Sequence, residues 1–106
     1  INAEDPDNNF MPSAGNIDFC YLPGGRNIRV DTHIYTGYKI PPFYDSLIAK
    51  VIAKGNNRQQ ALKTMDRALD EFLIEPIKTT VPFCKKVIND PDFKIGNYNT
   101  SFLNKF

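Results

Sequence analysis

Three features are scarce in this chain: an excess of charge of either sign, long apolar runs and cysteine. The 13 Lys and Arg residues almost balance the 12 Asp and Glu residues, which leaves a formal net charge of +1. This balance gives no electrostatic basis for binding nucleic acid or an anionic membrane. No apolar run approaches the roughly 18 residues that a membrane-spanning helix needs. We therefore expect neither nucleic acid nor a membrane as a partner.

Catalytic and metal-binding patterns are also missing. The two cysteines, Cys20 and Cys84, each lie in an apolar stretch, which predicts free buried thiols rather than a disulfide. His33 is the only histidine and has no nucleophile motif beside it, so a hydrogen-bonded structural histidine is favoured over a catalytic base. Glu4 and Asp5 have no third ligand at metal-binding spacing, which favours a solvated loop. From the residues alone, we predict no catalytic, cofactor-binding or metal-binding residue.

Length and chain start bear on domain organisation. At 106 residues and 42% hydrophobic composition, the chain supports one small domain, residues 1–106. It begins with Ile1 rather than Met, and its first ten residues lack the basic start of a signal peptide. We expect a piece of a longer protein or a processed product.

Alternating patterns in the first part of the chain predict two strands. Residues 17–22 place Ile17, Phe19 and Tyr21 on one apolar face, and residues 28–35 repeat the alternation. The Pro-Gly-Gly sequence at 23–25 predicts a hairpin turn between them rather than a phosphate-binding loop, because both flanks have strand patterns. The second strand carries one polar face, which we single out as a candidate contact surface: Arg29, Asp31, His33 and Tyr35.

Residues 41–57 lie between this β-rich part and a helical part. Pro41 and Pro42 predict an extended lead-in, because proline lacks an amide donor and keeps the preceding residue out of the helical region. Residues 47–53 alternate and predict a strand that crosses the centre of the domain, buried on one face and partly covered on the other. A short buried helix is the alternative. Gly55 and the two asparagines after it end the strand.

The remaining residues have helical spacing. Apolar residues from Asn57 to about Ile74 recur every three or four positions and predict one long helix, with Asn56 or Asn57 as its N-cap and Pro76 after its end. A second helix is predicted from Thr80 or Val81, with a proline in its first turn, to the Asn-Asp-Pro sequence at 89–91. Residues 92–106 are expected to form a packed tail. The pattern indicates an α+β fold: a small antiparallel β-sheet with two main helices in the C-terminal half.

Six motifs, spread over nearly all 106 residues, follow one another in the order and spacing of a known family. They are residues 1–6 (Ile-Asn-Ala-Glu-Asp-Pro), the Leu-Pro-Gly-Gly turn at 22–25, the run from Arg29 through His33 and Tyr35 to Gly37, residues 41–52, the helix start at Asn57-Arg58 with Met65 and Ala68-Leu69, and the Ile-Lys-Thr-Thr sequence at 77–80. Together they resemble the C-terminal domain of biotin carboxylase. Several motifs in register are far more specific than any one of them.

The resemblance implies a cytoplasmic parent enzyme with an ATP-grasp fold. Such an enzyme uses ATP and magnesium to activate bicarbonate, and it carboxylates biotin on biotin carboxyl carrier protein. Together with a carboxyltransferase, such an enzyme forms acetyl-CoA carboxylase or a related carboxylase. Acetyl-CoA carboxylase makes malonyl-CoA for fatty acid synthesis. The family's nucleotide-binding lysines, magnesium-binding glutamates and catalytic glutamate precede this region, and its biotin-contacting arginine stands immediately before the motif that begins here at Ile1. We expect the fragment alone to be inactive and to bind no cofactor.

The resemblance implies an architectural role, in which the domain closes one side of the active site and forms a homodimer face. Arg29 matches the family's interface arginine, and Arg26 occupies a neighbouring position where the family often has an aromatic residue. Both are predicted dimer-interface residues, and the preceding ATP-grasp and N-terminal domains are predicted partners. Asp45 is expected near the active site, with a structural role accepting turn amides as the alternative. A free-standing protein-interaction module that uses the 28–35 polar face is the other functional hypothesis.

Overall fold

Short strands occupy the first half of the chain and helices most of the second half, in a computed structural model that describes all of residues 1–106. The elements, in chain order, are β1 (Glu4–Asp5), β2 (Met11–Pro12), β3 (Gly15–Asn16), β4 (Phe19–Tyr21), β5 (Ile28–Thr32), β6 (Lys39–Ile40), β7 (Ala49–Ala53), α1 (Arg58–Glu71), β8 (Leu73–Glu75), α2 (Val81–Ile88), α3 (Pro91–Ile95) and a final 3₁₀ helix (Phe102–Lys105). The predicted α+β class is confirmed. None of the helices is both long and apolar enough to cross a membrane.

The strands pair antiparallel, as predicted, but in four separate two-stranded ladders: β1–β2, β3–β6, β4–β8 and β5–β7. The longest ladder joins β5 and β7 over five residue pairs, from Ile28 opposite Ala53 to Thr32 opposite Ala49. The strand predicted at 47–53 is therefore confirmed from Ala49 onward, and the helical alternative is wrong. Its partner is β5, which precedes it in the chain, because the half-buried sides of both strands face the same core.

The hairpin predicted at residues 23–25 is wrong. β4 pairs with β8, Cys20 lying opposite Ile74, so the chain leaves β4 and enters a different ladder after the turn. The predicted apolar face of this segment is also wrong beyond Ile17, since the side chains of Phe19 and Tyr21 are 46% and 55% exposed. Local alternation did not reveal this arrangement, because the pairing residues lie more than fifty positions apart.

The first helix begins as predicted and ends earlier. The side chain of Asn57 accepts a hydrogen bond from the amide of Gln60 at 2.9 Å, which confirms the N-cap. The predicted extension to Ile74 is wrong, because Phe72 has extended backbone and the residues after it form β8. Hydrogen bonds to β4 replace those that another helical turn would supply.

The second helix matches its prediction, while the expected tail contains more structure. α2 follows Thr80 and has Pro82 in its first turn. After it, the carboxylate of Asp90 accepts hydrogen bonds from the amides of Asp92 and Phe93 at 2.9 and 3.3 Å and caps α3, which ends at Gly96 in the left-handed region. The Asn-Asp-Pro sequence thus ends one helix and begins the next.

The hydrophobic core is small and lies mainly in the β-rich part. Its main cluster has eight buried residues, six of which precede residue 50: Ala3, Ile17, Ile34, Ile40, Ile48, Ala49, Phe72 and Ile77. Only 12 of the 106 residues are buried in all, so most side chains of this domain retain contact with solvent. The α+β framework therefore presents several exposed surfaces, on which the candidate sites lie.

Candidate interaction surfaces

The outer face of β5 carries one ion pair. Arg29 and Asp31 alternate with half-buried residues and are exposed on the same side, with Arg29 Nε 2.9 Å from Asp31 Oδ1. This hydrogen bond raises the pKa of Arg29 and lowers the pKa of Asp31. The ion pair is too exposed to contribute much stability. The two Nη groups of Arg29 make no hydrogen bond within the chain, so they are available to a partner.

Arg26 lies in the loop that precedes β5. It is exposed and forms no ion pair, and its neighbour Asn27 adopts a left-handed conformation with φ of 65°. The loop is held to α1 by Arg67, whose Nη1 donates a hydrogen bond to the carbonyl of Gly24 at 3.4 Å. The structure thus presents Arg26 and Arg29 at one exposed end of β5, and their role at a dimer interface stays a prediction.

The polar face predicted over residues 28–35 is shorter than expected. β5 ends at Thr32, so His33 and Tyr35 do not continue the row that begins with Arg29. The rings of both residues instead pack edge-on against Tyr38, with centroids 5.3 and 5.4 Å away. His33 makes no side-chain hydrogen bond, so the hydrogen-bonded histidine was a wrong prediction, and the aromatic contact holds it instead.

The loop between β6 and β7 presents two aromatic side chains to solvent. Phe43 and Tyr44 are 86% and 80% exposed. Asp45 follows them, and its Oδ1 accepts a hydrogen bond from the amide of Leu47 at 2.8 Å. This contact gives Asp45 the turn-stabilising role that the sequence left as an alternative. Its position near an active site stays a prediction. In the sequence, the two adjacent aromatic residues after a Pro-Pro pair were the only signal for a rigid exposed loop.

The N-terminal segment is fixed beside this loop. The backbone nitrogen of Ile1 donates a hydrogen bond to the carbonyl of Ala49 at 2.6 Å. Asn2 and Thr80 exchange two hydrogen bonds, at 2.9 and 3.0 Å. Ser46 donates to the carboxylate of Glu4 at 2.5 Å. Residue 1 therefore lies next to β7 and the start of α2. The buried Thr80 fixes this arrangement through its hydrogen bonds to Asn2, a role that the sequence did not suggest.

The acidic residues of this region do not converge on a metal site. Glu4 binds Ser46, and Asp5 accepts a hydrogen bond from the amide of Asp7 at 3.0 Å. No three His, Cys, Asp or Glu side chains in the chain lie close enough together to hold a metal ion.

Comparison with known proteins agrees with the resemblance seen in the sequence. The family model described as "Biotin carboxylase C-terminal domain" matches residues 1–105. Biotin carboxylase 1 of Bacillus subtilis is 52% identical over 106 residues, which are 100% of this chain and 24% of that protein. A pyruvate carboxylase subunit of Methanothermobacter thermautotrophicus is 44% identical over 106 residues, which are 100% of this chain and 22% of that protein.

A solved structure gives the same result for the fold. The biotin carboxylase domain dimer of Hydrogenobacter thermophilus 2-oxoglutarate carboxylase, solved with MgADP, ADP and bicarbonate, superimposes with a TM-score of 0.94 at 42% identity. The alignment covers 98% of this chain and 23% of that one. The chain thus spans about a quarter of the length of the relatives that it matches. On this sequence and fold agreement, the chain belongs to the biotin carboxylase C-terminal domain family.

Proposed function

We propose that this chain is the C-terminal structural and dimerisation domain of a longer biotin carboxylase with an ATP-grasp fold. The observation that carries the proposal is the surface of the domain. It exposes 7078 Å², whereas a compact protein of 12.1 kDa exposes about 6,000 Å². The excess of about 1,000 Å² exceeds the roughly 800 Å² that each partner buries in a standard protein interface. A domain that packs against the rest of its protein has this property.

The shape of the domain supports the same proposal. Its extents are 38 × 33 × 18 Å and its radius of gyration is 14.3 Å, against about 13 Å for a compact chain of this length. Large apolar side chains remain exposed on this flat body, most of all Phe43 and Tyr44. We infer that packing against the ATP-grasp body and N-terminal domain covers part of this surface.

The chemistry of the proposed parent enzyme lies outside this chain. In the proposal, a cytoplasmic enzyme uses ATP, magnesium and bicarbonate to carboxylate biotin on biotin carboxyl carrier protein, and a carboxyltransferase then uses the product. The relative from Hydrogenobacter thermophilus was solved with MgADP and bicarbonate. We propose that the domain alone is inactive and closes one side of the active site, with Asp45 near it.

Arg26 and Arg29 are the residues that we propose for the dimer face. Both are exposed, and Arg29 retains unpaired Nη groups that can bind a carboxylate in bidentate geometry. The Hydrogenobacter thermophilus relative is described as a dimer. In the longer enzyme, Arg29→Glu is expected to shift sedimentation from dimer toward monomer, whereas Lys39→Glu, with the same charge change, is expected to leave the dimer intact.

Acetyl-CoA is the proposed acceptor of the carboxyl group, so the parent enzyme would serve acetyl-CoA carboxylase. The proposed product is malonyl-CoA for fatty acid synthesis. The Bacillus subtilis protein named biotin carboxylase 1 shares more identity with this chain than do the pyruvate and 2-oxoglutarate carboxylase relatives, 52% against 44% and 42%. Transfer from carboxylated carrier protein to acetyl-CoA, pyruvate or 2-oxoglutarate by the matching carboxyltransferases distinguishes these assignments.

A mixing experiment tests the domain's role. This chain and the preceding ATP-grasp portion are purified separately, and bicarbonate-dependent ATP hydrolysis with free biotin is measured for each and for the mixture. We expect activity in the mixture only. An ATP-grasp portion that is folded and fully active alone would instead support the free-standing interaction module, and its partner would then be sought on the Arg29 face of β5.

A further inference from the structure

A groove separate from the surfaces described above runs between β7, the N-terminal half of α1, the end of α2, and α3. It consists of two adjoining hollows of about 520 and 710 Å³, which share Leu62 and Ile88. The floor is apolar and includes Ile52, Met65 and Phe93. We call it the α1–α3 groove. It forms a continuous apolar depression on a domain that has few buried side chains.

The rim of the α1–α3 groove is basic. Lys54 and Arg58 line one hollow, and Lys63 and Lys94 line the other. None of these four forms an ion pair, whereas every ion pair in the chain uses one of four other cations: Arg29, Arg67, Lys85 and Lys105. The rim therefore has positive charge that the chain itself does not neutralise.

The one acidic residue in the groove is already engaged. Asp66 accepts a hydrogen bond from Asn89 Nδ2 at 2.8 Å and lies 3.2 Å from Lys85 Nζ, and these contacts lower its pKa. It stays ionised, and its Oδ1 is held on the α2 side by both contacts. A single carboxylate that is already paired with Lys85 cannot balance four cations, so an acidic partner would complement the rim.

Side-chain contacts hold the walls of the groove in place. The guanidinium of Arg58 donates to the carbonyl of Phe93 at 2.5 Å and lies over the rings of Phe93 and Tyr98, at 4.9 and 5.6 Å from their centroids. On the opposite side, a Cβ at Gly55 would lie 2.5 Å from the amide nitrogen of Ala61, so only glycine allows the end of β7 to approach α1 this closely. The groove is therefore formed before any partner binds.

We propose that the α1–α3 groove binds an amphipathic helix of a partner protein, with aliphatic side chains on one face and carboxylates along its flanks. Helix-in-groove recognition uses apolar anchors at positions i, i+3 or i+4, and i+7, which match an elongated apolar floor. Ile95, 76% exposed at one end, offers a further apolar contact. The basic rim selects acidic flanks and steers association.

The test uses a fluorescent 18-residue helical peptide with leucines at the anchor positions and glutamates beside them, titrated against the 106-residue chain by anisotropy. We expect saturable binding that weakens with added salt. The double variant Lys63→Glu/Lys94→Glu is expected to bind about tenfold more weakly. The control Lys39→Glu/Lys78→Glu makes the same change of charge away from the groove and should bind as the original chain does. Circular dichroism compares the fold of each variant with that of the original chain. If the glutamate double variant has an altered spectrum, Lys63→Gln/Lys94→Gln replaces it in the titration.

A second pair of variants tests the apolar floor. Ile95→Ala is expected to weaken peptide binding several-fold, because it removes an anchor contact, whereas Leu103→Ala removes an exposed apolar side chain outside the groove and should not. Equal losses for both would overturn the proposal. So would the absence of binding at about 1 mM peptide, or equal affinity for a peptide whose glutamates are replaced by lysines.

Two other occupants are distinguished by further measurements. If sedimentation shows self-association that Lys63→Glu/Lys94→Glu abolishes, a second copy occupies the groove and the proposal fails. If the peptide binds this chain but not the longer enzyme proposed above, the groove is an internal packing surface, and the proposal again fails. The mixing experiment reports activity rather than peptide binding, so failure of the groove proposal and failure of the proposed function are separate results.

Discussion

The β-rich part, residues 1–57, and the helical part, residues 58–106, hold their shapes by different means. Six of the eight residues in the main core cluster come from the first part. In the second part, α2, α3 and the final 3₁₀ helix contain no buried residue at all. The first part therefore depends on burial of apolar side chains, which is the larger energetic term.

The elements after residue 80 depend on caps, ion pairs and aromatic contacts near the surface. A chain of rings runs from Phe10 through Phe83 and Phe106 to Phe102, with successive centroids 5.1, 5.8 and 5.4 Å apart. Lys105 lies over the Phe102 ring at 4.6 Å. Because exposed contacts of this kind contribute little individually, we expect substitutions to cost most in the β-rich core and least at the C-terminus.

The largest effect is expected in the core. Ile17 is fully buried, at 0% exposure. Ile17→Ala should lower the free energy of unfolding by about 2–5 kcal/mol, because it removes buried methyl groups and leaves a cavity. Urea denaturation measures the change. Ile95→Ala is the control in the helical part and should change stability by less than about 0.5 kcal/mol.

If Ile17→Ala does not fold, Ile17→Val gives a smaller measurable loss of about 0.5–1.5 kcal/mol. Equal losses for Ile17 and Ile95 variants would show that the two parts do not differ as described.

The next effect concerns the junction of the two parts. Gly55→Ala places a Cβ 2.5 Å from the Ala61 nitrogen and 2.9 Å from the Gln60 carbonyl carbon, both backbone atoms. Relief of this overlap requires β7 and α1 to separate, at a cost of about 1–3 kcal/mol. Gly24→Ala, where nothing lies within 4 Å, is the matched control. Similar denaturation midpoints for the two variants would contradict this account.

The third prediction concerns the N-cap of α1, Asn57. Asn57→Ala removes the acceptor for the Gln60 amide and should cost about 1 kcal/mol. Asn56→Ala is the control, because the Asn56 side chain makes no hydrogen bond and its backbone amide keeps its contact with the Gln60 side chain. Thermal denaturation followed by circular dichroism compares them, and an unchanged Asn57 variant would exclude a significant contribution from this cap.

The smallest effect is expected at the C-terminus. Lys105 Nζ lies 2.7 Å from Asp90 Oδ2, and this contact holds the pKa of Asp90 below its usual value. Because the folded pKa is lowered, the interaction stabilises the fold at pH above the ordinary carboxyl pKa and is lost as the pH falls through the lowered value. Its magnitude is small, since the Lys105 side chain is 41% exposed and solvent screens the charge.

Lys105→Met is expected to raise the pKa of Asp90 toward its usual value, as followed by NMR titration of the carboxyl carbon. Part of the lowering should remain, because the amides of Phe93 and Asp92 also donate to this carboxylate. Lys86→Met, a similar change on α2 away from Asp90, should leave the titration unaltered. An unchanged pKa of Asp90 in Lys105→Met would show that the ion pair does not lower this pKa.

The features that the sequence predicted correctly are those encoded by neighbouring residues. The Asn57 cap and the proline in the first turn of α2 each involve residues no more than four positions apart. The alternation of apolar and polar residues was also sufficient to predict β7 as a strand, because a half-buried strand has a distinct period of two. The exposed position of Arg29 followed from the same alternation in β5.

The errors arose where distant residues compete with local signals. Apolar spacing favoured helix through Ile74, but residues 73–75 pair antiparallel with β4 instead. Asp90 can be interpreted in two ways, as the end of α2 or as the N-cap of α3. The prediction of a helix that ends at residues 89–91 used the first, and only the second predicts α3. The α1–α3 groove combines β7, α1, α2 and α3, so no segment of sequence contains it.

The sequence by itself determined the family, the α+β class, the starts of α1 and α2 and the half-buried strand β7, because motifs, caps and periodicity depend on residues close together in the chain. Only the tertiary structure decided which strands pair, which apolar residues reach the core and which cations are left on one groove. Strand pairing joins residues such as Cys20 and Ile74, and its free energy depends on every alternative partner that the folded chain offers.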